Sequence, residues 1–152
     1  VLGIDPGYDR IGLGVVDKQG ASLKVAWCGL VETPRIDLPT RLRLLHQETV
    51  AVLEREKPDC VAIERLFFAK NTTTAIDVAK AAGVLTLAAV ATGLPVCEYA
   101  PPEIKQSVVG NGRAEKRQVQ FMVTRLLGLA ETPKPDDVAD ALAVAITHAL
   151  RA

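Results

Sequence analysis

Val1-Leu2-Gly3-Ile4-Asp5-Pro6-Gly7 opens the chain, and the way it continues decides the fold. Val1–Asp5 reads as a strand. Ile11–Asp17 and Leu23–Glu32 follow as two more, with turn residues at Gly7 to Arg10 and Lys18 to Gly20. Connections this short fit antiparallel pairing, so the three form a meander. Pro34 and Pro39 bracket a loop. Thr40 to Lys57 carries Leu42, Leu45, Val50 and Leu53 at helical spacing, and Pro58 stops it. Asp59–Glu64 is a continuous apolar run of the kind a parallel sheet buries on both faces. Leu66 to Thr74 is irregular and ends polar. Alanine-rich, almost wholly apolar chain then runs to Thr92, a helix capped at Gly93. Leu94–Tyr99 is the fifth strand. Pro101 to Val108 is a short helix, Gly110-Asn111-Gly112 a loop, Ala114–Leu127 a helix and Glu131–Pro135 a connection. Asp136–Leu150 closes the chain as a helix with Asp136 as its N-cap. This order predicts an α/β fold: a mixed five-stranded sheet, three strands antiparallel and the rest parallel, with helices on both faces.

A chain of 152 residues that is 49% hydrophobic is sized for one domain, 1–152, with a proper core, and its composition argues against disorder. No apolar stretch is expected to reach the roughly 20 residues of a membrane span, and no membrane partner is expected. The chain starts directly in a strand, with no signal peptide in view. Cys28, Cys60 and Cys97 are widely spaced in apolar runs without metal-ligand spacing. They read as reduced core residues of a cytosolic protein. Formal net charge is zero, so nucleic-acid binding has to rest on how charge is distributed. The Ala75–Val90 helix is apolar on most sides. It has to be covered on most sides, which implies the sheet on one side and a partner subunit on the other.

The acids carry the chemistry. Asp5 ends the first strand, and Glu64 ends Cys60-Val61-Ala62-Ile63-Glu64. Asp136, Asp137 and Asp140 open the last helix. A carboxylate at the end of a buried strand is costly unless paired, protonated or metal-bound. Hard divalent cations take oxygen ligands, and a pair of them can drive phosphoryl hydrolysis. Strand C-termini are where α/β sheets build sites, and a helix N-terminus can deliver two more acids there. Simpler roles exist for each: Asp5 before Pro-Gly as a turn former, the helix acids as partners of the macrodipole. Periodicity does not choose between Asp137/Asp140 and Asp136/Asp140, since i,i+3 and i,i+4 share a face.

Gly3-Ile4-Asp5-Pro6-Gly7 resembles the opening of the RuvC family of Holliday-junction resolvases, which have a ribonuclease-H-like fold. The likeness continues in Ala62-Ile63-Glu64 with Phe67-Phe68-Ala69-Lys70-Asn71, in Lys105-Gln106-Ser107-Val108-Val109-Gly110, and in Ala114-Glu115-Lys116. It ends in Asp137-Val138-Ala139-Asp140-Ala141-Leu142-Ala143 and Ile146-Thr147-His148. These blocks run in order along essentially the whole chain. The resemblance implies that Asp5, Glu64, Asp137 and Asp140 are the catalytic, metal-binding acids, for two Mg²⁺ or Mn²⁺ ions. It also implies a homodimer that nicks opposing strands of a four-way DNA junction symmetrically, in recombination and repair. Cooperation with the RuvA–RuvB branch-migration complex in a bacterial cytoplasm follows from the same likeness.

Lys105 and Lys116 match family lysines that hold the scissile backbone, where a lysine adds a point charge as negative charge grows. Arg113 belongs to the same basic stretch, Lys105 to Arg125. Phe67 matches the base-stacking position, with Lys70 and Asn71 beside it in a polar loop. Stacking on a loop aromatic is worth on the order of 1–3 kcal/mol. Phe67→Ala is therefore expected to weaken junction cleavage far more than Phe68→Ala; the reverse order would assign the rings the other way. Phe68 stands where an aliphatic residue is usual in the family, and Arg65 where an uncharged one is. His148 lies about 12 Å along the helix from Asp140, too far to share its ions.

Three rival readings compete with this one, and the sequence argues against the last two. One is a related nuclease acting on RNA–DNA hybrids or duplex ends. The second is a sugar-kinase or actin-like ATPase, which needs a far longer chain. The third is a junction-binding module without catalysis.

Overall fold

The computed structural model describes residues 1–66 and 72–152. Its elements are β1 (Leu2–Asp5), β2 (Arg10–Gln19), β3 (Ser22–Glu32), α1 (Leu38–Glu56), β4 (Val61–Glu64), α2 (Thr72–Ala91), β5 (Val96–Tyr99), α3 (Pro101–Val109), α4 (Lys116–Leu126) and α5 (Asp136–Arg151). Five strands form one sheet in the order β3-β2-β1-β4-β5. β1, β2 and β3 pair antiparallel, whereas β1–β4 and β4–β5 are parallel. This is the expected ribonuclease-H-like sheet.

The pleat sorts the strands into two cores. Leu2, Ile4, Ile11, Leu13, Val61 and Ile63 face α1 and α2, joined there by Leu45, Val52, Ala81 and Leu85. Ala62 and Val16 face the other way, into a core built by α3, α4 and α5 around Ile104, Val123, Leu142 and Ile146. Each fully buried aliphatic side chain contributes about 1.5–3 kcal/mol, so both faces hold the sheet. Because side chains alternate, Asp5 and Glu64 emerge on the α5 side.

Glycine makes that side flat. Gly3 of β1 pairs with Gly14 of β2, and Asp5 pairs with Gly12. A Cβ on Gly3 would stand 2.1 Å from the Ala141 carbonyl oxygen, and one on Gly12 would stand 1.9 Å from that of Asp137. Both contacts are with the α5 backbone, so only glycine lets the helix lie directly on the sheet.

Several local expectations need correcting. α1 starts at Leu38, with Pro39 inside its first turn, where a missing N–H costs nothing. Asp37 caps it, accepting from Thr40 N at 3.0 Å. Pro135, not Asp136, is the N-cap of α5, and Asp136 is the first helical residue. Cys28 is exposed, because β3 is an edge strand whose outer positions meet solvent; Cys60 and Cys97 are partly buried, and all three are free thiols. Thr74–Ala91 is long and apolar enough, at mean hydropathy 1.6, to cross a membrane by composition alone, which the sequence reading did not anticipate. In the fold, one side of α2 packs on α1, β4 and β5, burying Ala81, Leu85, Ala88 and Ala89, while Ile76, Leu87 and Val90 are more than half exposed.

Candidate active site

Three separate elements, β1, β4 and α5, deliver the four acids. β1 and β4 run parallel with Ile4 beside Ile63, so Asp5 and Glu64 close neighbouring strands at the same end. The first two turns of α5 lie over that end, because Gly12 admits the Asp137 backbone against β2. Asp137 and Asp140 thereby come to Asp5 and Glu64. Asp136 and Asp140, four apart, share a different helix face that looks towards α4.

Their charges act on one another. Burial, then the charges of Glu64, Asp140 and Asp137, push the Asp5 carboxyl from 3.8 up to about 8, against the opposing pull of Lys116. Glu64 is pushed up by burial and by Asp140, while Lys116 and a hydrogen bond with Asp5 work the other way. Asp140 is likewise raised by burial, with Lys116 opposing. Three carboxyls thus resist ionising together, which marks a cluster built around positive charge it does not itself contain.

Two cations of the chain answer part of this. Lys116, the first residue of α4, places Nζ 2.9 Å from Asp140 Oδ2 and 3.3 Å from Asp136 Oδ2. Its helix start is fixed by Glu115 N donating to Gln118 Oε1 at 2.8 Å. Arg10, at the start of β2, brings Nη2 within 3.1 Å of Asp137 Oδ2. The guanidinium is near but not aligned: among the described residues that oxygen is buried without a hydrogen bond.

A cleft of about 260 Å³ opens beside the acids, lined by Glu64, Lys105, Lys116 and Asp140 with Pro101 and Ile104. Lys105 and Lys116 thus both line the cleft that holds Glu64 and Asp140. Arg113 sits apart, exposed in the turn before α4, its backbone N held by Asn111 Oδ1 at 3.0 Å. The glycine loop is pinned rather than free: Gln106 accepts from Gly112 N at 3.1 Å and donates to the Gly110 carbonyl at 3.0 Å. His148 turns away and meets the Tyr99 hydroxyl at 2.9 Å. Phe67, Phe68, Lys70 and Asn71 lie outside the described residues.

Among the described residues, no three side chains form a ready set of ligands for one ion as they lie. The donor set nevertheless fits hard divalent cations. It offers only carboxylate oxygens, three carboxyls that need a neighbouring positive charge, and in Asp137 Oδ2 a buried acceptor without a donor.

The sequence reading missed three contributors. Arg10 carries no signal because its partner is remote in the chain. Gly12-Leu13-Gly14 did leave one, a glycine at alternate positions of a strand, which points to a close approach on one face. The third is the support under the Asp5–Arg10 turn. There Thr33 Oγ1 lies 2.8 Å from the Tyr8 carbonyl and 3.0 Å from that of Asp9. Buried Arg41 donates to Thr33 at 2.9 Å, pairs with Asp9 and stacks over the Tyr8 ring.

The chain is similar over nearly its whole length to known proteins. Residues 1–148 match the family described as crossover junction endodeoxyribonuclease RuvC. The protein of that name from Thermotoga petrophila is 50% identical over 153 residues, covering 99% of this chain and 92% of its own. The one from Desulfitobacterium hafniense is 51% identical, covering 98% and 91%. The solved structure of T. thermophilus RuvC in complex with Holliday junction substrate matches with a TM-score of 0.92 at 39% identity, covering 99% of this chain and 92% of that one. The chain belongs to the RuvC family, the structure-selective endonucleases of the crossover junction.

Proposed function

We propose that this protein resolves four-way DNA junctions by hydrolysing one phosphodiester in each of two opposing strands, with Asp5, Glu64, Asp137 and Asp140 holding two Mg²⁺ or Mn²⁺ ions. The observation that carries the proposal is the convergence of acids from β1, β4 and α5 at one end of the sheet, close enough that their charges add to burial in pushing the Asp5 carboxyl up. When bound, such ions supply an activated water and stabilise the leaving oxygen. The chain's own residues do the rest. The acids fix the cations at one end of the sheet. Lys105 and Lys116 hold the scissile phosphate in the cleft they both line, and Lys116 places its charge where negative charge grows. Arg113 contacts the backbone further out. Phe67, Lys70 and Asn71 are proposed to engage the strand near the cut. Products carry 5′ phosphate and 3′ hydroxyl, so ligase closes them without further processing.

Two copies act together, one on each strand. Ile76, Leu87 and Val90, exposed on α2, supply an apolar surface for the second copy. We infer partnership with a RuvA–RuvB branch-migration complex in a bacterial cytoplasm, a reading that membership of the RuvC family and the bacterial origin of the relatives support.

The test is a labelled four-way junction beside a matched linear duplex, with Mg²⁺, Mn²⁺ or chelator. The expected result is paired, religatable nicks on the junction alone, dependent on metal and absent in Glu64→Gln. Comparable cutting of duplex would make the protein a general nuclease, and tight binding without cleavage a junction-binding module. For Lys116→Ala in a Glu64→Gln background with Mg²⁺, the salt slope of junction binding should fall by about 0.9, one phosphate contact. An unchanged slope removes Lys116 from the backbone contacts.

A further inference from the structure

Lys116 has two carboxylate partners of different kinds. Asp140 is one of the four proposed metal-holding acids, its side chain three-quarters buried. Asp136 is at the rim, its side chain 60% exposed, and lies 3.3 Å from the lysine on the other side. Four residues apart on the first turns of α5, they present their Oδ2 atoms to one ammonium, which has three protons to give. An ammonium and a divalent cation compete for the same Asp140 oxygen, because like charges repel strongly at contact distance in a partly buried site. Once a cation takes Asp140, Asp136 is the remaining carboxylate partner of the lysine among the described residues.

We propose that Asp136 is a positioning residue for Lys116: it anchors the ammonium at the edge of the cleft when Asp140 turns to a cation, keeping it aimed at the phosphate. The proposal rests on the four-acid reading of the site. Without Asp136, a side chain with four rotatable carbons swings into solvent, and the ordering it needs has to be found anew at each turnover. Asp136 suits the task because α5 is rigidly seated on the sheet, and because its position one residue before Asp137 faces it away from Asp5. Its own negative charge near the DNA is the counterpart cost: it repels the backbone that Lys116 attracts.

This gives opposite signs for two measurements. In Asp136→Asn, single-turnover junction cleavage should fall about tenfold or more, as for other outer partners of a reacting group. Junction binding with Ca²⁺ should hold or tighten. Asp136→Glu should recover most of the rate. In a double-mutant cycle, Asp136→Asn should add nothing once Lys116 is alanine. A readout without catalysis completes the test: with Mg²⁺ present, an amine-acylating reagent should label Lys116 several-fold faster in Asp136→Asn than in the wild type, while Lys18 is unchanged. Additive losses in the cycle, or unchanged Lys116 labelling, would overturn the proposal. So would a drop in Mn²⁺ affinity in Asp136→Asn, which would make Asp136 a metal ligand instead. If the wild type itself leaves the junction uncut while the labelling change is seen, the anchor stands and the proposed function fails.

Discussion

Asp5→Asn should abolish junction cleavage and, in chelator, make the protein more stable. The loss of cleavage should be at least about 10³-fold, the scale on which an integral catalytic group is missed. The gain in stability follows from the proton. In the unfolded chain Asp5 ionises near 3.8; in the folded, metal-free protein its carboxyl is pushed up to about 8. Between those values the folded state binds more protons than the unfolded one, so stability falls as pH rises, being fully present below the unfolded value and lost through the folded one. Glu64 and Asp140, raised in the same direction, add to the trend. Wild type in chelator should thus lose thermal stability from about pH 5 to 8, with a shallower loss in Asp5→Asn. At pH 8 the variant should melt higher by about 5 °C or more. Mn²⁺ should raise the wild-type melting temperature and leave the variant's nearly unmoved. Equal melting curves at pH 8 would mean that the acids around Asp5 are not working against the fold.

The second large effect is expected where no acid is touched. Gly12→Ala puts a methyl group 1.9 Å from the Asp137 carbonyl oxygen and 2.3 Å from its carbon. Neither backbone atom can step aside alone, so the start of α5 has to lift from β2. Overpacking of this kind costs about 1–3 kcal/mol, which lowers the melting temperature by several degrees. Cleavage should suffer more than stability, because a displacement of about 1 Å at a reacting group can cost about 10²-fold. If Gly12→Ala cleaves as wild type does, the seating of α5 does not set the site.

These two residues show where the sequence is readable and where it is not. Asp5 and Glu64 stand out because each ends a buried strand, a position that an acid occupies only for a reason. Parallel neighbours then bring them to one end without further information. The antiparallel opening was readable from its turns. The roll of α5 was not. Helical periodicity treats Asp136 and Asp137 alike, and the choice between them is made by the flat patch of Gly3, Gly12 and Gly14, which fixes how the helix lies. The structure turns Asp137 to the buried side beside Arg10 and leaves Asp136 outside with Lys116. The first pairing joins residues more than a hundred positions apart and the second joins two different helices, and no local pattern encodes either. Cys28 misled for a related reason. Alternation in β3 looks like that of a buried strand, but the place of β3 at the sheet edge is a property of the topology.

The central claim is that Asp5, Glu64, Asp137 and Asp140 make one cation site. Anomalous diffraction from crystals grown with Mn²⁺ tests it most directly. The account predicts manganese bound by Asp5 together with Glu64, Asp137 and Asp140, and Lys116 Nζ drawn off Asp140. Crystals saturated with Mn²⁺ that show none at these acids, with Lys116 still bridging Asp140 and Asp136, would contradict it.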